Sequence, residues 1–201
     1  ANPTAKRVVC MAITAPAHNT RDGSPTSWSA AIDNITSGAE EDDEKRLFVI
    51  SAGNVHPNEF YSSPYPEANR LHSVESPGQS WNAITVGAYA DNSRIENPVF
   101  HEFAPLAQAG ALSPYSATSR TWSKRWPIKP EVLFNGGNVG ANGTDYDVHP
   151  DLSLLTTNYQ PLTKLFSTIC ATSAATAQAA HFCAQLLNEY PDIWPETVRA
   201  L

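Results

Sequence analysis

No run of about 20 apolar residues occurs in the chain, so nothing in it is long enough to cross a bilayer as a helix, and no membrane association is expected. Residues 1–7 are polar and lack the charged start and apolar centre of a secretory leader. The first residue is Ala1 rather than an initiator methionine, and the expectation is a fragment of a longer protein. Cysteine is scarce. The three present, Cys10, Cys170 and Cys183, cannot all pair within one chain, and they read as buried reduced thiols that favour a reducing, cytoplasmic compartment. Basic residues are outnumbered, 13 Lys and Arg against 20 Asp and Glu, for a net charge of −7. That balance excludes nonspecific nucleic-acid binding, which needs clustered cations. The one dense charge run, residues 40–46, reads as a solvated helix end or loop. The glycine-rich stretch 136–143 has no lysine placed to grip a phosphate, which excludes a nucleotide loop. Asp145, Asp147 and Asp151 do not have the spacing of a calcium hand. A solvated loop is preferred there, and neither a metal nor a cofactor is expected.

What is present is enough for one ordinary domain. The hydrophobic fraction is 41%, and the 16 prolines and 10 glycines are scattered rather than gathered into a linker. Residues 8–13 are continuously apolar, as in a strand buried on both faces of a parallel sheet. Trp28, Ala31, Ile32 and Ile35 recur at helical spacing within 27–37. A second apolar run follows at 47–50, so strand, helix and strand succeed one another as a βαβ unit requires. Residues 55–79, rich in Pro, Asn, Ser and Tyr and containing His56 and His72, read as an irregular surface loop. Residues 90–126 break into short segments, with Tyr115 and Trp122 packing on a curled sheet edge. Residues 176–189 form a helix with a broad apolar face, ended by Tyr190-Pro191, and Pro195 opens another. The fold class is α/β, a mainly parallel sheet with helices on both faces.

One serine stands out. Ser173 lies where small residues lead into the apolar helix, at the positive end of its dipole, among N–H groups with no intrahelical partner. A hydroxyl there is either an ordinary N-cap or a nucleophile whose developing charge the helix stabilises.

The stretch Ala171-Thr172-Ser173-Ala174-Ala175-Thr176-Ala177 resembles the nucleophile motif of the subtilisin-like serine proteases, the subtilases, Gly-Thr-Ser-Met-Ala-Thr/Ser-Pro. Ala171, Ala174 and Ala177 depart from it. In the same order, Phe48-Val49-Ile50-Ser51-Ala52-Gly53-Asn54 resembles the strand ending in Ala-Gly-Asn, and Ile84-Thr85-Val86-Gly87-Ala88 the next core strand. Lys129-Pro130-Glu131-Val132 resembles Lys-Pro-Asp-Val, and residues 113–119 sit where the family has a Phe-Ser-Ser strand. The resemblance implies that Ser173 is the nucleophile and that Asn54 donates to the oxyanion. It also implies that Ala12, Ile13 and Thr14, with Ser51, Ala52 and Gly53, bind the substrate backbone and wall the main specificity pocket. Thr14 stands where the family has glycine, and its β-carbon crowds a docked peptide. A serine triad also needs an imidazole and a carboxylate. The Asp-Ser/Thr-Gly and His-Gly-Thr motifs that carry them precede residue 8 in the family, and neither occurs here. None of His18, His56, His72, His101, His149 and His181 has that context. Residues 1–201 are accordingly expected to be the C-terminal portion of a subtilase catalytic domain, partnered by its missing N-terminal part and acting on peptide or protein substrates. The alternative is a noncatalytic subtilase-like domain that binds peptides or assembles with a partner.

Overall fold

A computed structural model describes residues 7–16, 22–39 and 45–201. His18 and most of the 40–46 charge run lie outside them. Of that run, Lys45 pairs with Glu196 at 2.6 Å and lies over the Trp194 ring.

The main sheet has four parallel strands in the order β1 (Val8–Met11), β2 (Leu47–Ser51), β3 (Ile84–Tyr89) and β5 (Val132–Asn135). Strand β2 is buried along its whole length because both of its faces are covered. Its side chains alternate: Leu47 and Val49 join the cluster beneath α3 (Ala171–Glu189), whereas Phe48 and Ile50 join that beneath α1 (Ser27–Ser37). The two helices therefore pack on opposite faces. Helix α1 begins where Thr26 accepts from the Ser29 N–H and Ser29 Oγ accepts from the Thr26 N–H, a reciprocal cap, and it ends at Gly38 with φ 73°. Ile32 is buried and Trp28 and Ile35 are partly so, the stripe predicted by their spacing. Helix α3 begins with residues small enough for close approach, and Ala174, Ala175 and Ala179 are buried against the sheet.

Between these elements lie α2 (Glu67–Leu71) and β4 (Ala104–Pro105), which forms a small antiparallel sheet with β6 (Gly140–Ala141) and β7 (Tyr146–Asp147). The hairpin of β8 (Leu154–Thr157) and β9 (Phe166–Ile169) leads directly into α3, and α4 (Pro195–Ala200) closes the chain with proline in its first turn.

Several expectations are corrected. The first strand ends at Met11 and is only partly buried: Val8 packs on one face and Val9 and Met11 on the other, but the strand is the edge of the described sheet, with a neighbour on one side only, and Cys10 is exposed. Cys170 is half-buried, so only Cys183 is the buried thiol expected. Residues 55–79 are not a plain surface loop. They contain a 3₁₀ turn, Pro57–Tyr61, then α2, and residues 73–80 are buried throughout because they run between the ends of the main strands and residues 113–118. Residues 113–119 form no continuous strand but isolated bridges, Ser116 to Asn54 and Thr118 to Ser73. Tyr115 is not at a sheet edge: it is buried in a second cluster with Val55, Phe60, Ala68 and Val139. Trp122 donates from Nε1 to Ser73 Oγ at 2.7 Å. The last long helix starts at Ala171, not residue 176, so Ser173 lies inside its first turn.

Candidate active site

The site is assembled where β2 and β5 run out and α3 begins. Past β2 the chain continues through Ala52 and Gly53 to Asn54, which is held by an antiparallel bridge to Ser116. Past β5 it reaches Gly136, whose carbonyl accepts the Ala171 N–H at 2.7 Å. Only glycine allows that approach, since a Cβ on Gly136 would lie 2.4 Å from Ala88 Cβ and 3.0 Å from the Ala171 carbonyl oxygen. The start of α3 is thus pinned to the end of the sheet.

The decisive contact joins residues 118 positions apart. Asn54 Oδ1 accepts from the Thr172 N–H at 2.9 Å and from the Thr172 hydroxyl at 2.7 Å. A backbone N–H can only donate, so the atom facing it is the amide oxygen, and the orientation of the Asn54 side chain is settled by chemistry. Its Nδ2 group turns the other way, and no described residue accepts from it. Thr172 is itself held on several sides. It is fully buried, its hydroxyl also lies 3.2 Å from the Gly53 carbonyl, and its own carbonyl accepts from Thr176 Oγ1. The Asn54 oxygen is thus engaged by the residue that precedes Ser173, and its two amide protons are not.

Ser173 is the third residue of α3, and the N-cap position belongs to Cys170, which makes no side-chain capping bond. The capping explanation for this serine therefore fails. The hydroxyl is half-buried at the positive end of a helix of 19 residues, where an anion gains stabilisation of up to ~1 kcal/mol when exposed and more when partly buried. Ala171, in the position of the glycine of the nucleophile motif, takes φ 73°, a left-handed conformation costing a non-glycine residue roughly 1–2 kcal/mol. Cys170 is a poor alternative nucleophile, because burial pushes its thiol up and away from the thiolate.

No described imidazole meets Ser173. His149 is buried between Phe100 and Phe103, each ring centroid 4.6 Å away. His56 caps the 3₁₀ turn, His101 faces the Pro98 carbonyl, and His181 is exposed on α3. His72 lies between two carboxylates, with Nε2 at 3.2 Å from Glu75 and Nδ1 at 3.2 Å from Glu59, and the Glu75 bond above all pushes its pKa up.

The substrate-segment residues divide. Ser51, Ala52 and Gly53 are buried, whereas Ala12 and Ile13 are exposed and Thr14 is half-buried. The structure links the two groups through Glu75, whose N–H donates to the Ala52 carbonyl and whose carboxylate accepts from the Thr14 hydroxyl. Sequence reasoning passed over Thr172 and Glu75. Thr172 could have been noticed inside the Thr-Ser frame, but Glu75 sits in what read as a surface loop. Asp151 accepts from the backbone N–H groups of Glu96 and Asn97, and it staples that loop.

An uncharacterized protein, y4bN, of Sinorhizobium fredii is 25% identical over 195 residues, covering 89% of this chain and 43% of its own length. Among solved structures, MycP1 with its N-terminal propeptide removed is 16% identical, with a TM-score of 0.40 over 84% of this chain and 44% of that one. The MycP3 protease from the type VII (ESX-3) secretion system is 12% identical, with a TM-score of 0.41 over 95% and 44%. The chain spans less than half the length of each of these relatives. The model of the subtilase family matches residues 1–201 in full, and the chain belongs to the subtilase family.

Proposed function

We propose that residues 1–201 are the C-terminal portion of a subtilase catalytic domain that cleaves peptide bonds through an acyl-enzyme on Ser173. The observation that carries this reading is the Asn54 amide, held through its oxygen by the N–H and hydroxyl of Thr172, the residue before Ser173, which leaves its Nδ2 group free to donate. In the reaction, Ser173 Oγ attacks the scissile carbonyl carbon and gives its proton to an imidazole, which a carboxylate orients. Both groups belong to the N-terminal part of the domain. The carbonyl oxygen becomes an oxyanion and is met by Asn54 Nδ2 and by N–H groups of the first turn of α3. The amine leaves with the imidazole's proton, and water then releases the acyl group by the same route in reverse. Metal and cofactor have no part in this scheme.

The test is acylation or phosphonylation of the intact protein by serine-directed reagents. Modification is expected at Ser173, with loss of peptidase activity. The isolated chain is expected to show no useful turnover, and turnover by the pure chain that Ser173→Ala abolishes would refute that part. A noncatalytic, peptide-binding domain is the second reading, and the left-handed Ala171 favours it, since a strained residue replaces glycine at the nucleophile turn. A folded intact protein whose Ser173 resists every such reagent would select it.

A further inference from the structure

Residues 14, 53 and 75 meet at one point beside the candidate site. Gly53 has φ 98°, and a Cβ built on it would lie 2.5 Å from Glu75 Cγ and 2.7 Å from Oε2. The Glu75 carboxyl therefore lies flat against the backbone of the residue preceding Asn54. The Thr14 hydroxyl donates to Glu75 Oε2, and His72 Nε2 stands 3.2 Å from Oε1. The backbone seals the arrangement: the Glu75 N–H donates to Ala52 at 2.9 Å, and the Ala15 N–H donates to Ser76 at 2.8 Å. Glu75 is only 4% exposed. The gap between the chain leaving β1 and the chain leaving β2 is thus spanned by the backbone of Gly53, a carboxylate and a threonine hydroxyl.

We infer that this bridge is the floor of the subsite for the residue on the acyl side of the scissile bond, and that it limits that residue to a small side chain, glycine, alanine or serine. The inference rests on the protease reading above. The carbonyl attacked by Ser173 and held by Asn54 belongs to the acyl-side residue, so that residue's side chain starts against the backbone around Gly53 and Asn54. The space there is already taken. A large apolar side chain would have to displace a hydrogen-bonded buried carboxylate, breaking its bonds to the Thr14 hydroxyl and to His72 Nε2. A basic side chain would find a complementary charge, but the Thr14 side chain stands in its path. Thr14→Gly removes that obstacle and leaves the carboxylate at the bottom of an opened slot.

The experiment uses the intact protein and a set of fluorogenic peptides that differ only in the acyl-side residue, alanine, phenylalanine or lysine. For the unaltered protein, kcat/KM for alanine is expected to exceed both others by at least about tenfold, the size of discrimination that a closed pocket supplies. Thr14→Gly should raise lysine relative to alanine by about tenfold, and adding Glu75→Gln should remove that gain. Thr14→Ser keeps the hydroxyl and should keep the preference for small residues. Equal cleavage after phenylalanine and alanine by the unaltered protein overturns the inference and leaves the protease reading standing. So does a Thr14→Gly protein with unchanged far-UV circular dichroism and no gain for lysine. Absence of turnover on every peptide, with no phosphonylation of Ser173, overturns both.

Discussion

The end of β2 and the end of β1 face the same candidate site and are built differently. Beyond β2, Ser51 and Ala52 are 2% and 0% exposed, and Asn54 is held on one side by Thr172 and on the other by the bridge to Ser116. Beyond β1 the chain lies open, with Ile13 64% exposed, and it is tied down only further on, at Thr14 and Ala15. A donor that must meet a developing oxyanion has to be placed within a fraction of an ångström, and a strand packed on both faces can do that. A segment that lies along an extended peptide can be exposed until the peptide covers it. The central strand thus carries the proposed chemistry and the edge strand the proposed recognition.

The strongest test of that division is kinetic. Asn54→Ala in the intact protein is expected to lower kcat by about 10²–10³, the size known for a subtilisin asparagine, with little change in KM. Asn54→Asp should be worse, because an ionised carboxylate would face the developing charge. A rise in KM at unchanged kcat would make Asn54 a ground-state binding residue and dissolve the distinction between the two strand ends.

Stability should follow the same contrast. Ile50 on β2 is 0% exposed and packs beneath α1, so Ile50→Ala is expected to cost about 3 kcal/mol in urea unfolding. Val9 on β1 is only partly buried, and Val9→Ala should cost less than about 1 kcal/mol. Equal losses would mean that β1 is as well packed as β2.

A pH dependence links the two ends through His72. Its pKa is raised by its hydrogen bond to Glu75, with Glu59 adding to the effect, while burial opposes both. Protonated His72 is therefore favoured by the folded state. Its contribution is fully present below the unfolded value of about 6.5, and it is lost as pH rises through the higher folded value. The midpoint of thermal unfolding should fall across that window, and His72→Gln should flatten the fall. An unchanged slope in the variant would show that the Glu59, His72 and Glu75 cluster does not tie the ends together.

The smallest effect concerns the turn into α3. Ala171→Gly removes the strain of a left-handed alanine and should raise stability by about 1 kcal/mol, read as a few degrees in Tm. If peptidase activity rises with it, the strain hinders the nucleophile. If activity is unchanged, Thr172 alone positions Ser173.

The α/β class, the order of strand, helix and strand, and the segments holding Asn54 and Ser173 were legible in the sequence by itself. Each is written in local periodicity or in a short run of consecutive residues: the apolar stretch of β2, the three-and-four spacing of Trp28, Ile32 and Ile35, and the Ile-Thr-Val-Gly-Ala and Thr-Ser-x-Ala-Thr frames. Only the tertiary structure decided which atoms of those segments meet. Which way the Asn54 amide turns depends on Thr172, which lies 118 positions away, and no local pattern records a hydrogen bond across that distance. The same holds for Glu75, a charged residue in a polar stretch. Its burial is possible because Thr14, His72 and the bare backbone of Gly53 arrive from separate parts of the chain to hold it. Cys10 makes the converse point: an apolar run predicts a buried strand, but exposure is set by whether a neighbour lies alongside, and β1 has one on a single side.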